Sequence, residues 1–220
     1  MIINLSPEEL KKCHEFSYEC AKNQQQIEFG QSDTAARGED EIGRDNLIGK
    51  VAEVAFAKMM NDNFGIQVPL DFNYYPRGEW DEQDAEINGW RIDIKGTRRG
   101  RWMLIEWNKL IFRHKYGNLA HLFVMASVKW DSKTNRPTGA VDLVGSASIH
   151  KLKPGISTTR VLLKGKSIPG TRNRTLLQAD NYAIAFDDLE HDWNKVIGYI
   201  LSHEPPASDS YPNPYTGKPM

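Results

Sequence analysis

The chain is poor in cysteine, has no long apolar run and carries almost no net charge. Only two cysteines occur, Cys13 and Cys20. They cannot build a disulfide framework, and free thiols fit a reducing compartment. They lie on a predicted helix with His14 beside the first, but a zinc site needs further ligands that the sequence does not offer. No apolar run reaches the ~20 residues that span a bilayer, so neither a membrane helix nor a membrane partner is expected. The start, Met-Ile-Ile-Asn-Leu-Ser-Pro-Glu-Glu-Leu, lacks the basic residues and apolar stretch of a secretory signal, so the expected location is cytoplasmic. A net charge of −1 gives no global attraction to nucleic acid, and any such surface must be a local patch. The six histidines show no metal-ligand spacing and read as structural. There are no internal repeats. Hydrophobic residues at 40% and charged residues at 26% are ordinary for a globular chain, and 220 residues suffice for one sizeable core.

What the chain does have is concentrated in residues 84 to 95, Asp-Ala-Glu-Ile-Asn-Gly-Trp-Arg-Ile-Asp-Ile-Lys. Asn88-Gly89 predicts a two-residue type I′ turn between two short strands. Such a turn fixes the register. Ile87 then faces Trp90, Glu86 faces Arg91, Ala85 faces Ile92 and Asp84 faces Asp93. Side chains alternate between the faces. One face holds Ala85, Ile87, Trp90, Ile92 and Ile94, and the other Asp84, Glu86, Arg91, Asp93 and Lys95. Opposed Asp84 and Asp93 would bring Cβ atoms within roughly 5 Å, which is unfavourable without positive charge between them. Lys95 supplies part of that charge and a divalent cation could supply the rest. Two acids and a lysine around a metal suit phosphodiester hydrolysis. The plainer reading is a solvated hairpin face with cross-strand ion pairs such as Glu86 with Arg91.

Asp84, an eight-residue gap and Asp93-Ile94-Lys95 together resemble the PD-(D/E)xK, or restriction-endonuclease-like, nuclease superfamily. Gln83 stands where that family often has proline, and the second acid is Asp rather than Glu. The resemblance covers roughly residues 45 to 128. It implies an α/β fold with a central mixed β-sheet flanked by helices. It also implies Mg²⁺ or Mn²⁺ held by Asp84, Asp93 and the backbone carbonyl of Ile94, with Lys95 as the catalytic lysine. The family often adds an acid from an upstream helix. Here that candidate is Glu53 in Leu47 to Met60, a ligand directly or through water. The product would carry a 5′-phosphate.

The surrounding pattern predicts one domain over 1–203. Its core is about 45–128, with a C-terminal elaboration of strands and a final helix over about 129–203, then a Pro-rich tail over 204–220. Ser6-Pro7-Glu8-Glu9 predicts a helix start, and the helix runs to about Gln26. Residues 30–44 read as a loop, and Asp45 or Asn46 as the cap of the next helix. That helix is apolar nearly all round, so it is expected to be buried. Glu53 within it then needs a partner or a metal, unless it lies on a narrow exposed stripe. Strands are expected over 66–75, with Pro69 marking an edge, and to Ile105. A helix spans Trp107 to about Lys115, and a strand buried on both faces Ala120–Val128. Residues 131–139 read as a loop. Further strands are expected over 140–144, 159–163 and 181–186, and a final helix capped by Asp187 or Asp188.

Basic residues supply candidate nucleic-acid contacts. Arg98, Arg99 and Arg101 follow Lys95 and would hold phosphates beside the scissile bond. Lys109, Arg113 and Lys115 extend them, unless they are an ordinary solvated helix face. Lys164, Lys166, Arg172 and Arg174 form a second basic stretch. Trp80, Trp102 and Trp107 could stack on bases but more often such residues are core, and Trp90 is core by its parity. Gln178-x-x-x-Tyr182 matches a pattern of one nuclease branch but lies too far downstream of the lysine and reads as coincidence. The expected partner is nucleic acid, DNA ahead of RNA, with a homodimer left open. The alternatives are a non-catalytic nucleic-acid-binding protein on the same fold and a small phosphoester hydrolase.

Parity separates Asp84 from its rival Asp81. An extended strand would turn residue 81 toward the face of Ala85 and Ile87, away from Asp93. Asp81→Ala should leave cleavage within about threefold, as surface changes rarely cost more than ~0.5 kcal/mol, and Asp84→Ala should abolish it. A nuclease assay giving the reverse would refute the register.

Overall fold

The computed structural model describes residues 1–25, 39–73, 83–115, 117–152, 157–170 and 176–206. The chain divides into two compact units, Met1–Ala85 with Ile94–Arg98 and Ala126–Leu143, and Glu86–Asp93 with Arg99–Met125 and Val144–Met220.

In the first unit, β1 (Ile2–Asn4) precedes α1 (Pro7–Gln25) and α2 (Glu39–Phe64). The helix start is the one expected. The Ser6 N–H donates to Glu9 Oε2 at 2.6 Å and the Glu9 N–H to Ser6 Oγ at 3.2 Å, a reciprocal capping box. Cys13, Ser17, Cys20 and Ala21 recur at helical spacing and form the buried stripe of α1. α2 buries Val51, Ala52, Ala55, Phe56, Met59 and Met60 with almost no exposed surface, as its all-round apolar pattern predicts. It begins six residues before Asp45, inside the expected loop. Asp40 and Glu41 suit the positive end of the helix dipole. Gly43 weakens the helix but sits where an added Cβ would be 3.4 Å from Ala21 Cβ, so α1 is close there. The helix ends at a left-handed Gly65 (φ +66°), an αL cap in which the Gly65 N–H donates to Asn61 O, while the Ile66 N–H donates to Met60 O.

The strand expected over 66–75 does not form: residues 66–73 are irregular, and the last two lie outside the described residues. Pro69 has no N–H for a ladder, Asp71 O is taken by the Lys50 ammonium, and the Asn73 N–H turns onto Asp71 Oδ1.

A five-stranded mixed sheet has the order β1, β6 (Arg136–Ser148), β5 (Leu122–Asp131), β3 (Trp90–Thr97), β2 (Ala85–Ile87). β1 was invisible to periodicity at three residues; it pairs antiparallel with β6, Ile3 opposite Val141. β6 starts at Arg136, inside the expected loop. Asp131 and Asn135 (φ +53°) close a tight turn that lets pairing begin at once. β5 joins beside β3 after β4 (Trp102–Glu106) and α3 (Trp107–Lys115). The His121 N–H donates to Arg91 O, so β5 and β3 start together and run in one direction. Residues 122–126 of β5 are buried continuously, as expected.

In the second unit a three-stranded antiparallel sheet has the order β4, β8 (Asn181–Ala185), β7 (Arg160–Leu162). Met103 and Ile105 of β4 and Tyr182 and Ile184 of β8 bury one face of it against Trp107, Leu110, Phe123 and Leu152. Each such side chain contributes roughly 1.5–3 kcal/mol. The order is α2, two strands, β4, α3, β5; it lacks the strand expected over 66–75, and β4 pairs in this second sheet. The last helix, α4 (Trp193–Ser202), is capped by Asp192, whose Oδ1 accepts from Asn194 and Lys195, and not by Asp187 or Asp188. Glu190 and Ser146 exchange two backbone hydrogen bonds, which hold the chain extended until Asp192.

Candidate functional site

The hairpin carries the parity read from its sequence. Asn88 (φ +51°) and Gly89 (φ +76°) are both left-handed, as a type I′ turn demands. In β3 Trp90, Ile92 and Ile94 are buried, while Arg91, Asp93 and Lys95 are half-buried. Ala85 and Ile87 of β2 are buried and Glu86 is exposed.

Asp84 stands one residue before β2. Its Oδ2 accepts the Ile94 N–H at 2.6 Å. In the register set by the turn, the N–H and C=O groups of residues 90, 92 and 94 point toward β2. Residue 83 would serve Ile94 if β2 continued. The strand stops, and the Asp84 carboxylate takes that amide instead. The Ile94 carbonyl points to the same edge of β3 as the Asp84 carboxylate. Asp93 and Lys95 project together from one face of β3. The opposite face carries Gly96, where a Cβ would lie 2.7 Å from Ile48 O. α2 therefore approaches β3 from the side away from Lys95, and only glycine allows that approach.

Glu53 has its own partner. Lys50 Nζ lies 2.5 Å from Glu53 Oε2 and donates to Asp71 O at 2.6 Å. The ammonium also sits 4.5 Å from the Phe16 ring centroid and 5.4 Å from that of Phe72. Lys50 is 4% exposed, so the pair is largely out of water. The expected third acid thus holds a buried cation. The signal was available in the sequence as two opposite charges three apart in an apolar helix.

These residues fit a hard cation in kind. Mg²⁺ is commonly bound by one or two carboxylates, with water completing the shell. The Asp84 carboxylate and Ile94 carbonyl on one edge of β3 are ligands of that kind. Among the described residues no three or more His, Cys, Asp or Glu converge as metal ligands.

Of the basic residues, Arg99 and Arg101 are exposed, and the Arg98 guanidinium lies 5.4 Å from the Trp130 ring centroid. Lys109 is 3.9 Å from Glu106 on an exposed stretch of α3, and Arg113 is half-buried. Trp107 is core, edge-on to Tyr182, and so is Trp90, whose indole donates to His203 O. Trp102 is half-buried. Trp80, Asp81, Arg172 and Arg174 lie outside the described residues.

Trp130 escaped the sequence reading, whereas His121 is structural as expected of the histidines. Trp130 stands beside Arg98. His121 is buried against Arg91, whose backbone N–H donates to Nδ1 and whose guanidinium reaches Nε2 and Leu119 O. Burial, then the Arg91 charge, lowers its pKa to about 4, so it is a neutral structural group. The thiols of Cys13 and Cys20 are buried and free. Burial pushes them up to about 12 and about 11. Seven residues of helix separate them by ~10 Å, beyond disulfide reach.

Removing one partner of the buried pair should be costly. Lys50→Met leaves Glu53 without its cation and should lower stability by about 3 kcal/mol. The double variant Lys50→Met with Glu53→Leu should recover much of that loss. Urea denaturation measures both, and equal stability of Lys50→Met and the parent would contradict the pairing.

No protein-family model, curated protein or solved structure matches the chain.

Proposed function

We propose that the chain is a metal-dependent nuclease on a restriction-endonuclease-like core, acting on DNA ahead of RNA in the cytoplasm. The single observation that carries this reading is the end of the hairpin. There an acid is locked by the Ile94 amide beside the Ile94 carbonyl, and an Asp-x-Lys presents Asp93 and Lys95 from one strand face. A succession of helix, three strands, helix and strand in a mixed α/β chain supports the fold assignment.

Asp84, Asp93 and the Ile94 carbonyl would hold Mg²⁺ or Mn²⁺. Such an ion supplies Lewis-acid chemistry, acidifying water and offsetting phosphate charge. Lys95 orients the attacking water and neutralises charge gathering on the phosphoryl oxygens. Water adds to phosphorus and the bond to the 3′ oxygen breaks, leaving a 5′-phosphate and a 3′-hydroxyl. Arg98, Arg99 and Arg101, which follow β3, contact the neighbouring phosphates, with Lys109 and Arg113 as an extension. Glu53 joins only by sharing its carboxylate between Lys50 and a water at the site.

Lys95→Ala should retain metal binding and lose cleavage by 10²-fold or more, because the lysine acts in the transition state. The assay is digestion of circular and linear DNA and RNA with Mg²⁺ or Mn²⁺, with EDTA as control. Near-normal activity in the variant would remove Lys95 from the site. Absence of any metal-dependent cleavage by the parent would favour a binding protein.

A further inference from the structure

The sheet of β4, β8 and β7 has a second face, opposite the core. Its register decides which side chains share that face. Trp102 pairs with Ala185, Leu104 and Arg160 both pair with Ala183, and Glu106 and Leu162 both pair with Asn181. The middle strand contributes Ala183, which is fully covered, and Ala185, which is half-buried, between an indole on one side and a guanidinium on the other. The two lie close together: Arg160 Cζ is 5.2 Å from the Trp102 ring centroid. The indole is held in place, because its N–H donates to Pro169 O at 3.1 Å. Trp90, Trp107 and Trp193 are 3%, 8% and 2% exposed, whereas Trp102 is half-buried and Arg160 is exposed. A fixed, half-buried aromatic plane beside an exposed cation is a preorganised stacking platform.

The charge around it is positive. Arg99 and Arg101 lead into β4, and Lys164 and Lys166 follow β7, all four exposed. Glu106, the one acid on the face among the described residues, lies 3.9 Å from Lys109. The Asp180 carboxylate accepts the Lys164 N–H at 2.7 Å. With Asp187 and Asp188 beyond β8 included, cations still outnumber acids.

We propose that this outer face binds an unpaired strand of nucleic acid, one base stacking on Trp102 and the flanking phosphates held by Arg101 and Arg160. The kind of partner rests on the nuclease reading; the site and its preference for unpaired bases do not. A base offers its π-face to a flat sheet only when it is free of a duplex stack. The face therefore recognises single-stranded ends, gaps or loops in the substrate.

The test is fluorescence anisotropy of the full chain with a labelled oligothymidine and a duplex of equal length, in EDTA so that cleavage is absent. The parent should bind the single strand more tightly. Trp102→Leu should weaken that binding about tenfold, and Trp102→Phe should keep most of it. Arg160→Gln, at an exposed position that does not threaten folding, should weaken it a few-fold and shallow the salt dependence by about one ion. Duplex binding should change less than twofold. Parent-like single-strand binding by folded Trp102→Leu and by Arg160→Gln would overturn the proposal, as would a parent that prefers the duplex. A chain that binds through Trp102 but never cleaves would sink the nuclease reading alone. A chain that cleaves, with binding indifferent to Trp102, would sink this inference alone.

Discussion

One hydrogen bond, from the Ile94 N–H to the Asp84 carboxylate, organises the candidate site. It exists because the two-residue turn at Asn88-Gly89 sets a register in which residue 94 donates toward β2, and because β2 ends too soon to accept. A charged side chain then does what a backbone carbonyl would have done. Such a charge-assisted bond is short. The strand end and the acid are thus one device. The amide fixes the carboxylate beside the Ile94 carbonyl, and the alternation of β3 sets Asp93 and Lys95 on one face. A register shift of one residue would turn Asp93 and Lys95 to the other face.

A second constraint lies in α2. An apolar helix can carry a buried charge only if a partner meets it, and Lys50 meets Glu53, Asp71 O and two aromatic rings at once. That arrangement ties residues 66–73 to the helices through Asp71, which is one reason the segment leaves the extended conformation. Gly96 provides the other tie, by letting the Ile48 backbone close on β3.

Where a local rule was strong, the sequence was legible. Ser6 and Glu9 form the box their spacing predicts, α3 spans the expected Trp107–Lys115, and Trp90 is buried by parity. The failures are tertiary in origin. β1 is too short to show a period and exists because β6 pairs with it. α2 extends back through Gly43 because α1 packs there. The pairing of β4 with β8, more than seventy residues on, decides that Trp102 faces outward, and no local pattern encodes that. For the site, the spacing of Asp84, Asp93 and Lys95 was readable, as was the parity of β3. That Ile94 would anchor Asp84, and Lys50 engage Glu53, was not, because each depends on where a neighbouring element stops or packs.

The central claim is that Asp84 and Asp93 together hold a divalent cation. The most direct measurement is the melting temperature of the parent, Asp84→Asn and Asp93→Asn with and without Mg²⁺. Binding to the folded state alone raises stability by an amount set by ligand concentration over Kd. The parent should gain several degrees with Mg²⁺ and each variant little or none. If both variants gained as much as the parent, the cation would be bound elsewhere and the account would be contradicted.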